Sequence, residues 1–195
     1  MWSRRLGLLR NLLKLQYEGR STVRGRFAVG GGGAYAGTLR RTILAYKRGR
    51  RDVGEALAAW LAERCGPFDP SAVPVSVPTT GPRRAERGFD QSVRLARRLA
   101  ALRERPVLLA LWHRAGDSQR GRTRTARLAA RNRFACAGDH VFRGVRIVLV
   151  DDVVTTGATL ADSAQTLRAR GAVVEDAVVL ASAGHTVPRR ETARR

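Results

Sequence analysis

Two adjacent carboxylates and a hydroxyl-rich loop make residues 147–159 the segment of this sequence best suited to binding chemistry. Asp151 and Asp152 stand together, and the loop that follows supplies three hydroxyls around a glycine, at Thr155, Thr156, Gly157 and Thr159. A short loop before a helix offers free backbone N–H groups and the positive end of the helix dipole, and both suit a phosphate dianion. Two carboxylates repel that phosphate, but they accept hydrogen bonds from neutral hydroxyls such as those of a ribose. The segment therefore predicts a sugar-phosphate site.

A buried strand and a helix are the elements that must position these groups. Ile147 to Val150 are four consecutive aliphatic residues, which is typical of a parallel strand covered on both faces. After the loop, an apolar stripe predicts a helix that ends near Gly171, and the stripe consists of Leu160, Ala164 and Leu167. Ligands of open α/β sheets bind beyond the carboxyl ends of the strands. The two acids stand at such an end.

The remaining elements alternate in the manner of an α/β protein. Apolar runs predict strands at 73–77, 107–111 and 173–181, in addition to the strand at 147–150. Helical spacing predicts helices at 38–48 and 53–65, one that starts at Asp90, and a short one near Ala126. Strands that alternate with helices favour a parallel sheet with flanking helices, so the predicted fold class is α/β.

A nucleotide triphosphatase is one alternative, because an apolar strand that ends in two acids also resembles a Walker B element. That interpretation needs a glycine-rich loop that ends in lysine followed by serine or threonine. The two lysines of the chain are followed by Leu15 and Arg48, so the sequence contains no Walker A motif. The plainer alternative is structural, namely a buried strand followed by a polar helix cap.

The strand, the two acids and the Thr-Thr-Gly-x-Thr loop together resemble the signature of the type I phosphoribosyltransferases. The resemblance implies a parallel-sheet type I phosphoribosyltransferase fold with flanking helices, and binding of 5-phosphoribosyl 1-pyrophosphate. It implies that Asp151 and Asp152 hold the ribose hydroxyls. It assigns the 5′-phosphate to the loop, which consists of Val153, Val154, Thr155, Thr156, Gly157, Ala158 and Thr159. It also implies Mg²⁺ held mainly through the substrate, without a direct protein ligand.

Two arginine-rich loops are the candidates for binding the pyrophosphate at C1′. The first spans 82–91, after the strand at 73–77, and the second spans 114–133, after the strand at 107–111. Their candidate pyrophosphate-binding residues are Arg83, Arg84, Arg87, Gly88, Arg120 and Arg122. A long polar loop is typical of a lid over a ligand, and the alternative for each arginine is a solvated basic surface. Lys47, inside a predicted helix, is more typical of a surface charge than of a ligand.

Three further motifs narrow the resemblance to the competence-protein F family. They are Tyr35-Ala36-Gly37, Tyr46-Lys47-Arg48-Gly49 and Arg87-Gly88-Phe89-Asp90-Gln91, so the likeness covers residues 35–182. The family usually has Asn where Asp90 stands, and many members begin with a cysteine zinc ribbon, which this sequence lacks. Thr155 occupies the position at which hypoxanthine-type relatives carry an acidic base, so a hypoxanthine or guanine substrate is disfavoured. No residue presents itself as the catalytic base.

The charge of the chain favours anionic partners. The net charge is +21, from 37 basic and 16 acidic residues, and residues 73–144 alone carry 16 basic and 5 acidic residues. Such a field attracts polyanions, either sugar pyrophosphates or nucleic acid. The alternative is a compositional bias, because alanine, arginine, glycine and valine are all abundant.

Composition divides the 195 residues into three parts. Residues 1–33 are expected to form a basic segment with a glycine linker, 34–184 a phosphoribosyltransferase-like domain, and 185–195 a basic tail. Trp2 to Tyr17 fits an amphipathic basic helix, and this arginine-rich start also resembles an organellar transit peptide. The linker prediction rests on the successive glycines from Gly30 to Gly33, which favour a flexible, disordered chain.

Two functions are consistent with these features. The first is a Mg²⁺-dependent phosphoribosyltransferase, a glycosyltransferase of pentosyl groups, that acts on an unidentified nitrogenous acceptor. The alternative is a non-catalytic competence or DNA-uptake protein that binds single-stranded DNA, and a homodimer is a candidate assembly. Because no apolar run could span a bilayer and Cys65 and Cys136 form no CxxC pair, we expect a cytoplasmic protein without a disulfide or zinc site.

Overall fold

The computed structural model of the chain describes residues 20–23, 27–65, 68–79, 84–85, 88–114, 133–136 and 142–183. Its strands are β1 (Arg20–Val23), β2 (Phe27–Gly31), β3 (Val73–Ser76), β4 (Leu111–His113), β5 (Phe134–Cys136), β6 (Arg146–Val154) and β7 (Val173–Ser182). Its helices are α1 (Gly37–Lys47), α2 (Asp52–Arg64), α3 (Gln91–Leu102) and α4 (Ala158–Arg168). The predicted α/β fold class is confirmed.

A mostly parallel sheet forms the centre of the fold. Its strand order is β1-β2-β7-β6-β3, and β2, β7, β6 and β3 run parallel, whereas β1 pairs antiparallel with β2. Two neighbouring parallel strands, β6 and β7, are joined through α4, as in a βαβ unit. The carboxyl ends of the parallel strands therefore meet at one edge, and β6 brings Asp151 and Asp152 there.

Both faces of the sheet are buried, which explains the uninterrupted aliphatic run in β6. Ile147 and Leu149 belong to a core cluster with α4, the β4–β5 hairpin and Phe142. Val148 and Val150 face the other way, into a second cluster built from α1, α2 and α3. Alternate residues of a strand point to opposite faces, so a strand between two helical layers is apolar at every position.

The helices lie close to where their apolar spacing predicts them. Helices α1 and α2 each lie within one residue of the predicted ranges 38–48 and 53–65, and α3 begins immediately after Asp90. Leu160, Ala164 and Leu167 of α4 are buried as the stripe predicted, and Gly171 adopts a positive φ of 86° beyond the end of the helix. The predicted short helix near Ala126 lies outside the described residues.

The strand predicted at 107–111 is wrong in position and pairing. Leu108 makes an isolated parallel bridge with Val75, in which its N–H donates to the Pro74 carbonyl at 3.1 Å. Strand β4 begins only at Leu111, and it pairs antiparallel with β5 in a separate two-stranded sheet. The amide nitrogen and carbonyl of a strand residue point to the same side, so Pro74 lacks its N–H on the edge that faces Leu108, and the ladder does not extend.

The glycine run predicted as a disordered linker instead contributes to the sheet. Strand β2 ends at Gly31, the Gly32 N–H donates to the Val179 carbonyl at 3.1 Å, and the Gly33 carbonyl accepts from the Ser182 N–H at 3.0 Å. A Cβ at Gly30 would lie 2.4 Å from the Cys65 carbonyl oxygen. These glycines therefore allow the end of α2 to approach the sheet closely. The predicted helix at Trp2 to Tyr17 and the tail at 185–195 lie outside the described residues.

Two further expectations can be compared with the described part of the chain. Cys65 and Cys136 are both buried. No helix in the described ranges is long and apolar enough to cross a bilayer.

Candidate functional site

A cavity of about 370 Å³ lies at the carboxyl edge of the parallel strands. Part of its wall comes from the strand and loop singled out by sequence, through Asp151, Asp152, Val153, Thr155 and Thr159. The rest comes from distant parts of the chain, through Tyr35, Lys47, Val77, Pro78, Thr79, His113 and Arg133. The cavity thus combines acidic, cationic and hydroxyl groups in a volume suited to a small ligand.

Asp151 is fixed by two donors on the same carboxylate oxygen. The Ser92 hydroxyl donates to Asp151 Oδ1 at 3.0 Å, and the Asp152 backbone N–H donates to it at 2.8 Å. Burial, followed by the neighbouring charge of Asp152, raises the pKa of Asp151 to about 7. Near neutral pH, the two acids therefore share less negative charge than two exposed aspartates would carry.

Asp152 is paired with Lys47, the last residue of α1. The Lys47 Nζ lies 2.9 Å from Asp152 Oδ2, and only 20% of the lysine side chain and 14% of the aspartate side chain are exposed. The prediction that Lys47 is a surface charge is therefore wrong. Helix α1 packs over the sheet on Leu39 and Ile43, and this packing brings its final side chain to the carboxyl edge of β6.

The loop after the two acids leads into α4, with Gly157 at the cap position of the helix. Gly157 is buried, adopts a φ of 70°, and accepts from the Ala161 N–H at 2.9 Å, while the Thr156 hydroxyl accepts from the Ala158 N–H at 3.3 Å. Thr155 and Thr159 line the cavity, Thr156 is exposed, and the Val154 side chain is buried in the core. Helix α4 has 11 residues, so its amino end supplies donors and a dipole for an anion beside these hydroxyls.

The Arg-Gly-Phe-Asp-Gln motif anchors α3 and its neighbours, in its described part. Asp90 caps α3 by accepting from the Val93 N–H at 3.2 Å, and it accepts from the N–H of Thr79, a cavity residue, at 2.9 Å. The Phe89 ring packs on the Tyr46 ring at 5.3 Å, with the guanidinium of Arg51 at 5.3 Å from the Phe89 centroid. Asp90 caps the helix with a side-chain oxygen, and the asparagine that is usual in the competence-protein F family could do the same.

Two of the predicted pyrophosphate-binding residues, Arg84 and Gly88, are among the described residues, and neither lines the cavity. Both are exposed, and Gly88, with a φ of 69°, accepts a hydrogen bond from Arg51 at 3.4 Å. Arg83, Arg87, Arg120 and Arg122 lie outside the described residues. Their binding role stays a prediction.

The β4–β5 hairpin supplies two cavity residues that the sequence reasoning missed. His113 Nε2 lies 3.0 Å from the Pro78 carbonyl, and its ring packs on Phe134 at 4.6 Å. Burial lowers the pKa of His113, so the neutral ring donates through Nε2 and keeps Nδ1 as an acceptor. Immediately before β5, the backbone N–H and the Nε of Arg133 both donate to Asp162 Oδ2 of α4, each at 3.2 Å. Asp162 is buried, so it holds the Arg133 side chain at the cavity wall.

Tyr35, Lys47, Ser92, His113 and Arg133 were not predicted as site residues, because each lies far from the acids in sequence. One signal pointed to Lys47, since all but two of the 37 basic residues are arginine. An isolated lysine in an arginine-rich chain distinguishes the position, although it does not say which group the lysine meets.

The chemistry of the cavity matches a phosphorylated polyol better than a metal centre. Carboxylates accept hydroxyl donors, and the hydroxyls and helix amino end donate to a phosphate. Among the described side chains, no group of three or more His, Cys, Asp or Glu residues gathers to hold a metal ion. Asp151 and Asp152 are the carboxylates that line the cavity in the described part of the chain, and Asp152 already contacts a cation.

Comparison with known proteins agrees with this chemistry. The phosphoribosyl transferase domain matches residues 85–195, which include α3, the β4–β5 hairpin, β6, the threonine loop, α4 and β7. A search of the curated proteins finds no match. The matched residues make up more than half of the chain and carry both acids and the loop, so the chain belongs to the phosphoribosyl transferase domain family.

Proposed function

We propose that the protein binds 5-phosphoribosyl 1-pyrophosphate with Mg²⁺ and transfers the phosphoribosyl group to a nitrogenous acceptor. The observation that carries the proposal is the presence of Asp151, Asp152 and the threonine loop on one cavity wall. In this arrangement the carboxylates accept from the ribose hydroxyls, and the loop with the amino end of α4 binds the 5′-phosphate. Family membership supports phosphoribosyl transfer in general.

The proposed reaction breaks the bond between C1′ and the pyrophosphate oxygen and forms a bond from C1′ to an acceptor nitrogen. Negative charge develops on the leaving pyrophosphate, and positive charge develops on the ribose ring. Lys47 and Arg133 supply cationic groups to the cavity wall for the leaving group, and the two carboxylates keep the ring hydroxyls in place. His113 is the neutral imidazole on this wall, and it is the described group best suited to accept an acceptor proton.

Magnesium fits this cavity as a metal held chiefly by the substrate. The ion prefers six oxygen ligands and keeps several waters, and the chain offers the carboxylates of Asp151 and Asp152 at the ribose position. When bound, Mg²⁺ neutralises charge on the pyrophosphate. Asp151 and Asp152 would hold the ion through the ribose hydroxyls that they bind.

Isothermal titration with 5-phosphoribosyl 1-pyrophosphate tests the proposal directly. We expect wild-type binding that strengthens with Mg²⁺, and loss of at least about tenfold in affinity in the Asp151→Asn/Asp152→Asn variant, because its amides accept less strongly than carboxylates. Glu175→Gln is the matched control, since Glu175 is exposed near the opposite end of β7. Wild-type protein that binds no ligand with or without Mg²⁺ would refute the proposal.

We also propose that the chain is of the competence-protein F type. The support is that three motifs of that family surround one cavity: Tyr35 and Lys47 line it, and the Phe89–Asp90 pair tethers Thr79 and α1 beside it. A role in DNA uptake is the second candidate function, and the observation that favours it is the net basic charge of residues 73–144.

Single-stranded DNA binding tests this second function. We expect an affinity that falls steeply with salt, because Arg side chains release counterions from the phosphates. The Asp151→Asn/Asp152→Asn variant should bind DNA as tightly as wild type or more tightly, since it removes negative charge. Affinity no better than that of a generic basic protein of similar charge would argue against the second function.

A further inference from the structure

We propose that Lys47 is a ligand-binding residue that selects ribose phosphates with a diphosphate at C1 over ribose 5-phosphate. The inference rests on the proposed function, because it assumes that the two acids hold the ribose. Lys47 lies upstream of residues 85–195, the segment matched by the phosphoribosyl transferase domain. The site therefore takes a specificity residue from a part of the chain that the match does not cover.

The position of Lys47 is fixed by the residue before it. Tyr46 is fully buried, its hydroxyl donates to the Gln91 carbonyl at 3.3 Å, and its ring packs on Phe89. Gly54 of α2 leaves room for this ring, since a Cβ at Gly54 would lie 2.5 Å from it. The end of α1 is thus anchored against α2 and α3, and Lys47 is directed into the cavity rather than into solvent.

In the proposed binding mode, the ammonium group lies beside the substituent at C1. Lys47 Nζ is 2.9 Å from Asp152 Oδ2, and Asp152 is the proposed acceptor for a ribose hydroxyl. The hydroxyl at C2 is on the carbon next to C1, so a group on C1 lies close to whatever contacts that hydroxyl. An ammonium has three donors, and one suffices for Asp152. The remaining donors can bind diphosphate oxygens, which ribose 5-phosphate lacks.

A purely structural role for Lys47 makes a different prediction. If the lysine only neutralised the acid pair, its loss would weaken every ligand that uses Asp152, whatever stands at C1. If it binds the diphosphate, its loss weakens the diphosphate-bearing ligand selectively, because a charge-assisted hydrogen bond is lost with that ligand alone. The ratio of the two affinities therefore separates the two roles.

The test compares isothermal titrations of 5-phosphoribosyl 1-pyrophosphate, with Mg²⁺, and of ribose 5-phosphate. The variants are Lys47→Met, Lys47→Arg and the control Arg48→Met, which removes one positive charge from an exposed neighbouring position. Lys47 lowers the pKa of Asp151, which is about 7 in the native chain, so removal of the lysine raises that pKa. A pH of about 8.5 is chosen to keep Asp151 ionised in all of these proteins.

We expect Lys47→Met to lose about tenfold or more in affinity for the pyrophosphate ligand and less than about threefold for ribose 5-phosphate. Lys47→Arg should recover much of the loss, and Arg48→Met should bind both ligands as wild type does. Retained ribose 5-phosphate binding also shows that the variant is folded. Equal losses for both ligands, or no loss for either, would overturn the proposed role of Lys47 but not the proposed function. Wild-type protein that binds neither ligand would instead overturn the proposed function, and this inference with it.

Discussion

Asp151 shows how strongly a residue's chemistry depends on its surroundings. An exposed aspartate is ionised at neutral pH, whereas burial and the charge of Asp152 raise the pKa of Asp151 to about 7. Ser92 and Lys47 oppose that rise, because the hydroxyl donates to the carboxylate and the ammonium attracts it. The charge of the acid pair therefore changes with pH close to neutrality.

The raised pKa of Asp151 predicts a specific dependence of stability on pH. The folded pKa lies above the ordinary value of 3.8, so between these pH values the folded chain binds more protons than the unfolded chain. The contribution of Asp151 to the free energy of unfolding therefore falls as pH rises from about 4 to about 7, and is level above that range. In Asp151→Asn this contribution is absent. We expect the variant to lose less stability than wild type between about pH 5 and pH 8, by more than about 1 kcal/mol.

Urea unfolding of both proteins at the two pH values measures this difference. Comparison with the variant removes the contribution of titrating groups that do not interact with Asp151, including His113. Equal changes in the free energy of unfolding would show that Asp151 is ionised normally in the folded chain.

At the scale of elements, the start of α3 organises the site. Ser92 in the first turn orients Asp151, and Asp90 before it caps the helix and holds Thr79 on the cavity wall. Phe89 connects the same turn to Tyr46 and so to the end of α1. The start of one helix thus fixes an acid, a loop and a lysine at once.

Substitution at Asp90 should reveal this connection. Asp90→Ala removes the acceptor for Val93 and Thr79, and we expect it to lower the free energy of unfolding by about 1 to 2 kcal/mol, as for other helix caps. Asp90→Asn is the matched control, because its side-chain oxygen can still cap the helix. Thermal or urea denaturation of the two variants gives the comparison. An alanine variant as stable as the asparagine variant would mean that the cap contributes little here.

At the scale of the whole molecule, the five-stranded sheet has a core on each face. One core contains α4 and the hairpin, and the other contains α1, α2 and α3 against Val148, Val150 and Leu180. Residues 85–195 include β6 and β7 but exclude β2, β3, α1 and α2. The family-matched segment therefore contains the two acids on β6, but it lacks α1 and α2, which cover one face of that strand.

This architecture predicts that residues 85–195 do not fold alone. Without α1 and α2, the apolar face of β6 and β7 is exposed to water, and burial of such side chains contributes roughly 1.5 to 3 kcal/mol each. We expect the isolated segment to lack cooperative thermal unfolding and to aggregate on size-exclusion chromatography, whereas the full chain unfolds cooperatively. A monomeric 85–195 fragment with a cooperative transition would contradict this view of the two cores.

Local patterns account for the part of the fold that could be predicted. Neighbouring residues alone predict the buried strand β6, the apolar stripe of α4 and the helices α1, α2 and α3. Each of these elements lies close to its predicted place. The predictions at 107–111 and at the glycine run were wrong because they depended on partners elsewhere. Pro74 lacks the N–H that would extend one segment's pairing, and hydrogen bonds to β7 place the other segment in the sheet.

The sequence by itself determined one wall of the candidate site, because Asp151, Asp152 and the threonine loop are contiguous and a strand followed by a helix must present them at the edge of a sheet. Only the tertiary structure decided the opposite wall. Tyr35, Lys47, His113 and Arg133 reach the cavity through packing of helices and hairpin against that sheet. It also decided the charge of the acids, since a pKa depends on burial and on charges that the chain brings close only when it folds.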